Sequence, residues 1–139
     1  MLNIIIIEDD QSAMNQLVNT LHSVADDVHI KAAISSVKEG IEYMAQLPEA
    51  DLILSDVQLC DGLSFEIFKH TTSKIPVVFI TGFDEFMLTA FNYNAIDYLL
   101  KPVSGKELSK AIQKYKSLEQ HFSSASSSLN NLLKYMTGN

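Results

Sequence analysis

What most constrains this chain is a regular alternation of short, β-branched apolar runs with longer segments whose apolar residues recur at helical spacing. Leu2 to Ile7 is the first such run, stopped by Glu8, Asp9 and Asp10, and it reads as a strand buried on both faces, as parallel sheets require. Met14, Leu17, Val18, Leu21 and Val24 then mark one face of a helix that Asp10 can cap. His29 to Ile34 reads as a second strand. Ser36 and Glu39 make a capping box for a helix carried by Val37, Ile41, Met44 and Leu47, which Pro48 closes. Leu52 to Ser55 is a third strand, followed by a loop from Asp56 to Gly62 and a helix with Phe65, Ile67 and Phe68 on its apolar side. Pro76 leads into the strand Val77 to Ile80, Phe86, Met87, Ala90 and Phe91 suggest a fourth helix, and Ala95 to Leu100 is a fifth strand. Ser104 and Glu107 form a second capping box, ahead of a long helix whose face runs through Leu108, Ala111, Ile112, Tyr115, Leu118 and Phe122.

Five strands alternating with five helices imply right-handed crossovers and a parallel sheet covered on both faces, an α/β doubly wound architecture. With 139 residues, 47% of them hydrophobic, the chain suits one domain, assigned to residues 1–122. Residues 123–128, five serines and an alanine, read as the start of a linker. Residues 129–139 then carry a short amphipathic stripe of Leu129, Leu132, Leu133 and Met136, better suited to docking or fraying than to a coiled coil.

Several classes of function are disfavoured at once. A net charge of -7 argues against the chain gripping a nucleic-acid backbone, because that binding runs on Lys and Arg neutralising phosphates. Cys60 is the single cysteine, so no intrachain disulfide can form, which suits a reducing cytoplasm; beside Asp56 it reads as an incidental loop thiol. His22, His29, His70 and His121 lack zinc-ligand spacing. Ile4 to Ile7 has no basic residue before it and is too short for a signal peptide, and no run approaches the ~20 apolar residues of a membrane span.

In open α/β sheets, ligands bind beyond the carboxyl ends of the strands. At those ends stand Glu8, Asp9 and Asp10, then Asp56, then Thr81 and Gly82, then Lys101 and Pro102. Three clustered carboxylates repel one another by on the order of 1 to 4 kcal/mol per pair, so a cation is needed among them. Mg²⁺ suits the site, since it takes oxygen ligands and commonly binds through one or two carboxylates with water and phosphate. Lys101 adds a fixed positive charge and Thr81 a hydroxyl donor. With the metal, they would offer a partner for each of three oxygens of a phosphoryl group carried on Asp56. Taken singly, each residue has an ordinary reading: the acids as an exposed turn and cap, Asp56 as a loop acid, Thr81 and Gly82 as a turn, Lys101 as a solvated lysine. Their occurrence together at four strand ends favours the chemical one.

The segments Ile4 to Asp9 (IIIIED), Leu54 to Leu59 (LSDVQL), Val77 to Gly82 (VVFITG) and Asp97 to Val103 (DYLLKPV) resemble the motifs of response-regulator receiver domains of two-component signalling. The likeness covers roughly residues 1–122, and Thr81 to Val103 is similar to receivers of the LytTR class, which in that family precede a DNA-binding domain. The resemblance implies a flavodoxin-like strand order of 2-1-3-4-5. It further implies phosphorylation of Asp56 by a sensor histidine kinase, with Mg²⁺ held by Glu8, Asp9, Asp56 and the backbone carbonyl of Gln58. Lys101 matches the phosphate-binding lysine, the bond from Lys101 to Pro102 is expected to be cis, and Thr81 with Tyr98 matches the switch pair. Helix four, strand five and helix five would form a homodimer surface, and DNA would be reached only through a separate output domain. Phe83, two residues past Thr81, is expected to hinder water and slow dephosphorylation. Asp10 is one acid more than the motif needs.

Rival readings fare less well. A flavodoxin-type flavin site must cradle phosphate in the first loop, where three acids repel it. An aspartyl-phosphate phosphohydrolase would need a further acid–base group and a substrate cap, and Gln58 occupies the second position of its D-x-D motif. A degenerate receiver used for contacts alone would have lost Asp56, Lys101 or an acid of the first loop. A stand-alone receiver acting through protein–protein contacts is the alternative to one joined to an output domain.

Overall fold

The computed structural model describes residues 1–120. The expected end of the domain at 122 and the serine-rich tail lie outside the described residues. Strand β1 spans Leu2–Ile7, α1 Gln11–Val24, β2 Val28–Ile34, α2 Val37–Met44 and β3 Leu52–Ser55. A small hairpin follows, β4 Gln58–Leu59 and β5 Gly62–Leu63, then α3 Phe65–Lys69, β6 Val77–Thr81, α4 Met87–Ala90 and β7 Ala95–Leu100. The last described helix, α5, covers 105–120. None of the described helices is long and apolar enough to cross a membrane.

The main sheet has five strands in the order β2-β1-β3-β6-β7, and all its pairings are parallel. With the hairpin set aside, this is the 2-1-3-4-5 order of a flavodoxin-like doubly wound fold. Alternating residues of β1 show how the core divides, because successive side chains on a strand point to opposite faces. Ile4 and Ile6 join Met14 and Leu21 of α1 and Leu108, Ala111 and Ile112 of α5. Ile5 and Ile7 join Val37 and Met44 of α2, Phe65 and Ile67 of α3 and Ala90 of α4. Each of these four isoleucines is at most 1% exposed, and burying one contributes about 1.5–3 kcal/mol. A strand with apolar residues at both parities can therefore lie only at the sheet's centre, between two helical layers.

Local signals behave as their chemistry demands. The Asp10 carboxylate accepts from the N–H groups of Ser12 and Ala13 and starts α1, and Ser104 Oγ accepts from Glu107 N–H at the start of α5. Ser36 Oγ likewise accepts from Glu39 N–H, but the Glu39 carboxylate returns to Ser35, not Ser36.

Three expectations need correction. Helix α2 does not reach Leu47: the N–H groups of Gln46 and Leu47 bond to Tyr43 and Met44 carbonyls three residues back, the chain turns at Leu47 with φ 50, and its side chain is 57% exposed. Helix α4 is four residues long and continues as a 3-10 turn, Phe91–Tyr93, which ends at Asn94 in the left-handed region. The stretch after Asp56, expected as loop, contains the β4–β5 hairpin, closed through Gly62 at φ 145.

Candidate functional site

The site forms where β1, β3, β6 and β7 end on the same side of the sheet. Glu8 follows β1 and Asp56 follows β3, and the Asp56 N–H donates to the Ile7 carbonyl (2.9 Å), which locks the two strand ends together. Both acids are buried, while Asp9 is exposed. One carboxylate oxygen from each of Glu8, Asp9 and Asp56 lies within 4.8 Å of the others. Asp10 stands apart from this cluster, since its carboxylate is engaged at the start of α1.

The two oxygens of Asp56 are held differently. Oδ1 accepts from the N–H groups of Val57 (2.7 Å) and Gln58 (3.3 Å), and Oδ2 accepts from Lys101 Nζ at 2.8 Å. The same ammonium donates to Glu8 Oε1 at 2.5 Å. Burial pushes the Glu8 carboxyl above its usual range, the nearby Asp56 charge adds to that, and the bond from Lys101 works against it. For Lys101, burial alone would lower the pKa, but hydrogen bonds to Asp56 and Glu8 outweigh it and raise the group above its ordinary value. The ammonium therefore stays charged.

Thr81 ends β6 and is fully buried, and its Oγ1 has no hydrogen-bond partner among the described residues. Tyr98, on the neighbouring β7, is half-buried; its hydroxyl donates to the carbonyl of Phe83 at 2.5 Å and so ties β7 to the loop after β6. Burial, foremost, raises the Tyr98 phenol's pKa. Phe83 itself is partly exposed. At Gly82 an added Cβ would meet nothing within 4 Å, so the backbone there is open. The Lys101 N–H donates to the Thr81 carbonyl at 2.8 Å, and the Lys101–Pro102 peptide is cis. A cavity of about 290 Å³ lies against Glu8, Asp56 and Lys101 and extends between Ala13 and Leu17 of α1 and Val103.

Three carboxylates facing one ammonium leave the cluster short of positive charge, and its donors are all oxygens. That set fits a divalent cation of the Mg²⁺ kind, which prefers carboxylate and carbonyl oxygen. The partnerless Thr81 hydroxyl offers a donor for a tetrahedral oxyanion close to the same strand ends. Glu8, Asp9, Asp56, Thr81 and Lys101 are thus gathered at one end of the sheet, Gln58 enters through its backbone, and Tyr98 is engaged with Phe83.

One residue escaped the sequence. Asp61, at the tip of the β4–β5 hairpin, accepts from Val37 N–H (2.7 Å) and Lys38 N–H (3.1 Å) at the start of α2. A contact across more than twenty residues leaves no local pattern, and the capping box at Ser36 had already accounted for this helix end.

The response regulator receiver domain family matches residues 4–113. The chain is 30% identical over 123 residues to the sensory transduction protein LytT of Bacillus cereus, covering 86% of this chain and 49% of that protein. It is 31% identical over 130 residues to the transcriptional regulatory protein LytR of Staphylococcus aureus, covering 91% of this chain and 52% of the relative. The chain therefore spans about half the length of the curated relatives it matches. Among solved structures, the response regulatory domain of mrkE from Klebsiella pneumoniae superposes with a TM-score of 0.75 at 22% identity, over 86% of this chain and 99% of that one. A response regulator receiver domain from Clostridium thermocellum gives 0.73 at 22% identity, over 88% and 99%; both show likeness of fold.

Proposed function

The chain belongs to the response regulator receiver domain family, and from that premise we propose that Asp56 accepts a phosphoryl group from the phosphohistidine of a sensor histidine kinase. The observation that carries the proposal is the pairing of Asp56 Oδ2 with the Lys101 ammonium beside a buried Thr81 hydroxyl that lacks a partner. A phosphoryl group on Asp56 would find the ammonium for one oxygen and the hydroxyl for another.

Glu8, Asp9, Asp56 and the backbone carbonyl of Gln58 would hold Mg²⁺, which when bound supplies positive charge for the phosphoryl oxygens. The remaining work falls to the chain. The amides of Val57 and Gln58 fix Asp56 Oδ1, which leaves the carboxylate's orientation set before any donor arrives. A carboxylate oxygen attacks phosphorus, the phosphorus–nitrogen bond breaks, its electron pair passes to the imidazole, and an acyl phosphate remains on Asp56. The domain thereby gains roughly one negative charge at the strand ends. Lys101 and Thr81 engage the new oxygens, and Tyr98 moves with the loop to which its hydroxyl is tied.

The outcome is read on the face made by α4, β7 and α5, where Met87, Leu88, Phe91 and Leu100 are exposed apolar groups suited to pairing with a second copy. DNA contact would belong to a separate LytTR-type output domain outside these residues, since the chain carries a net charge of -7. The setting of such a pathway is the cytoplasm.

The test is direct. Incubation with Mg²⁺ and a small-molecule phosphodonor, followed by intact mass, is expected to show one phosphoryl adduct on the wild type and none on Asp56→Asn. An unmodified wild type, or a mutant modified to the same extent, would overturn the proposal.

A further inference from the structure

The β4–β5 hairpin begins two residues beyond Asp56 and contains Gln58, whose N–H is bonded to Asp56 Oδ1. Its strands are two residues each, paired Gln58 with Leu63 and Leu59 with Gly62. Two-residue strands cannot hold a hairpin rigid by themselves. At its base, the Ser64 N–H donates to the Val57 carbonyl. At its tip, both oxygens of the Asp61 carboxylate accept from the first two N–H groups of α2, on Val37 and Lys38. These donors would otherwise be without partners, and the positive end of the helix dipole favours a carboxylate there. Those hydrogen bonds hold the Asp61 carboxyl below the usual range. The anchor itself is firm: α2 packs so closely on α3 that a Cβ on Gly40 would come within 2.3 Å of Ile67.

Resting on the phosphoacceptor and metal reading above, we propose that Asp61 is a positioning residue for the metal site: by gripping the start of α2, it holds the hairpin so that the Gln58 backbone is set for Asp56 and for the cation. Ser36 caps the same helix through Glu39 N–H, and its hydroxyl makes no hydrogen bond to the hairpin among the described residues, which separates the two roles of the helix start. Loss of Asp61 frees the hairpin tip, whereas loss of Ser36 weakens the helix alone.

The experiment is a calorimetric Mg²⁺ titration of the 139-residue chain, with thermal unfolding measured beside it, on the wild type, Asp61→Ala, Asp61→Asn and Ser36→Ala. Groups that orient metal ligands typically change affinity 10–100-fold, so Asp61→Ala is expected to raise the Mg²⁺ dissociation constant by about tenfold. Asp61→Asn keeps one acceptor oxygen and is expected to fall between, and it carries the test if Asp61→Ala does not fold. Ser36→Ala is expected to lower the unfolding midpoint while leaving the dissociation constant within about twofold, as a cap loss far from the cation should. Wild-type affinity in both Asp61 variants, or an equal weakening in Ser36→Ala, overturns the positioning role while the metal reading stands. A wild type that binds no Mg²⁺ takes the metal reading down, and this proposal with it.

Discussion

At the scale of a residue, Thr81 holds the most telling position. A buried hydroxyl without a partner costs about 1–3 kcal/mol relative to a satisfied one, and Thr81 carries such a hydroxyl at the end of a fully buried strand. Replacement by the isosteric valine removes the unsatisfied group along with any service it performs. Thr81→Val is therefore expected to leave the resting domain as stable as before, or more stable by up to about 1 kcal/mol, while lowering the rate of phosphodonor-driven modification by at least about tenfold, as loss of one oxyanion donor does. Parallel thermal melts and mass time courses read the two effects, and a destabilised variant with normal phosphorylation would refute the assignment. Chain order alone located Glu8, Asp56, Thr81 and Lys101, because each follows a recognisable apolar run and the fold class brings such ends together. It could not show that one ammonium spans two carboxylates, or that Thr81 is left without a partner, because both facts depend on side-chain packing.

At the scale of an element, legibility followed self-sufficiency. Strand β1 and the serine caps of α2 and α5 are written in nearby residues, so they could be read directly, although the return bonds of Glu39 and Glu107 go to Ser35 and to the Ser104 hydroxyl in place of the cap N–H groups. The hairpin after Asp56 could not, since it depends on Gly62 and on a clamp from Asp61 to a helix more than twenty residues earlier. Helix α4 gives way after Ala90 to the 3-10 turn, and Asn94 in the left-handed region then turns the chain into β7. The α2–α3 contact is another long-range feature, and it yields a prediction. An alanine at position 40 would gain up to about 1 kcal/mol in helix propensity, but its Cβ would sit 2.3 Å from Ile67 Cδ1 and 2.8 Å from Cγ1, at a side chain with no exposure. Overpacking of that kind costs about 1–3 kcal/mol. Gly40→Ala is expected to lower the unfolding midpoint in denaturant with an unchanged slope; a stabilised variant would show that α2 and α3 can separate freely.

At the scale of the whole molecule, several exposed apolar groups among the described residues, Met87, Leu88, Phe91 and Leu100, fall on α4, the turn that follows it and the end of β7, an edge strand of the sheet. Leu88 is 84% exposed and Phe91 58%, and a stable dimer needs about 800 Å² from each partner. Phosphorylated wild type is expected to sediment as a dimer, and Phe91→Glu to weaken that association at least tenfold, or about 1.4 kcal/mol; a phosphorylated wild type that remains monomeric at all concentrations would remove this face from the pathway. Lys101 links that edge to Asp56. It directly follows β7, its N–H is bonded to the Thr81 carbonyl, and its ammonium reaches past β6 to the ends of β3 and β1. Its side chain works as a tie rod laid across the sheet, loaded by the balance of charge between Glu8 and Asp56. Under the proposed phosphorylation, charge added at Asp56 would shift that load toward one attachment and draw on the outermost strand, turning an event at the centre of the domain into tension at its rim.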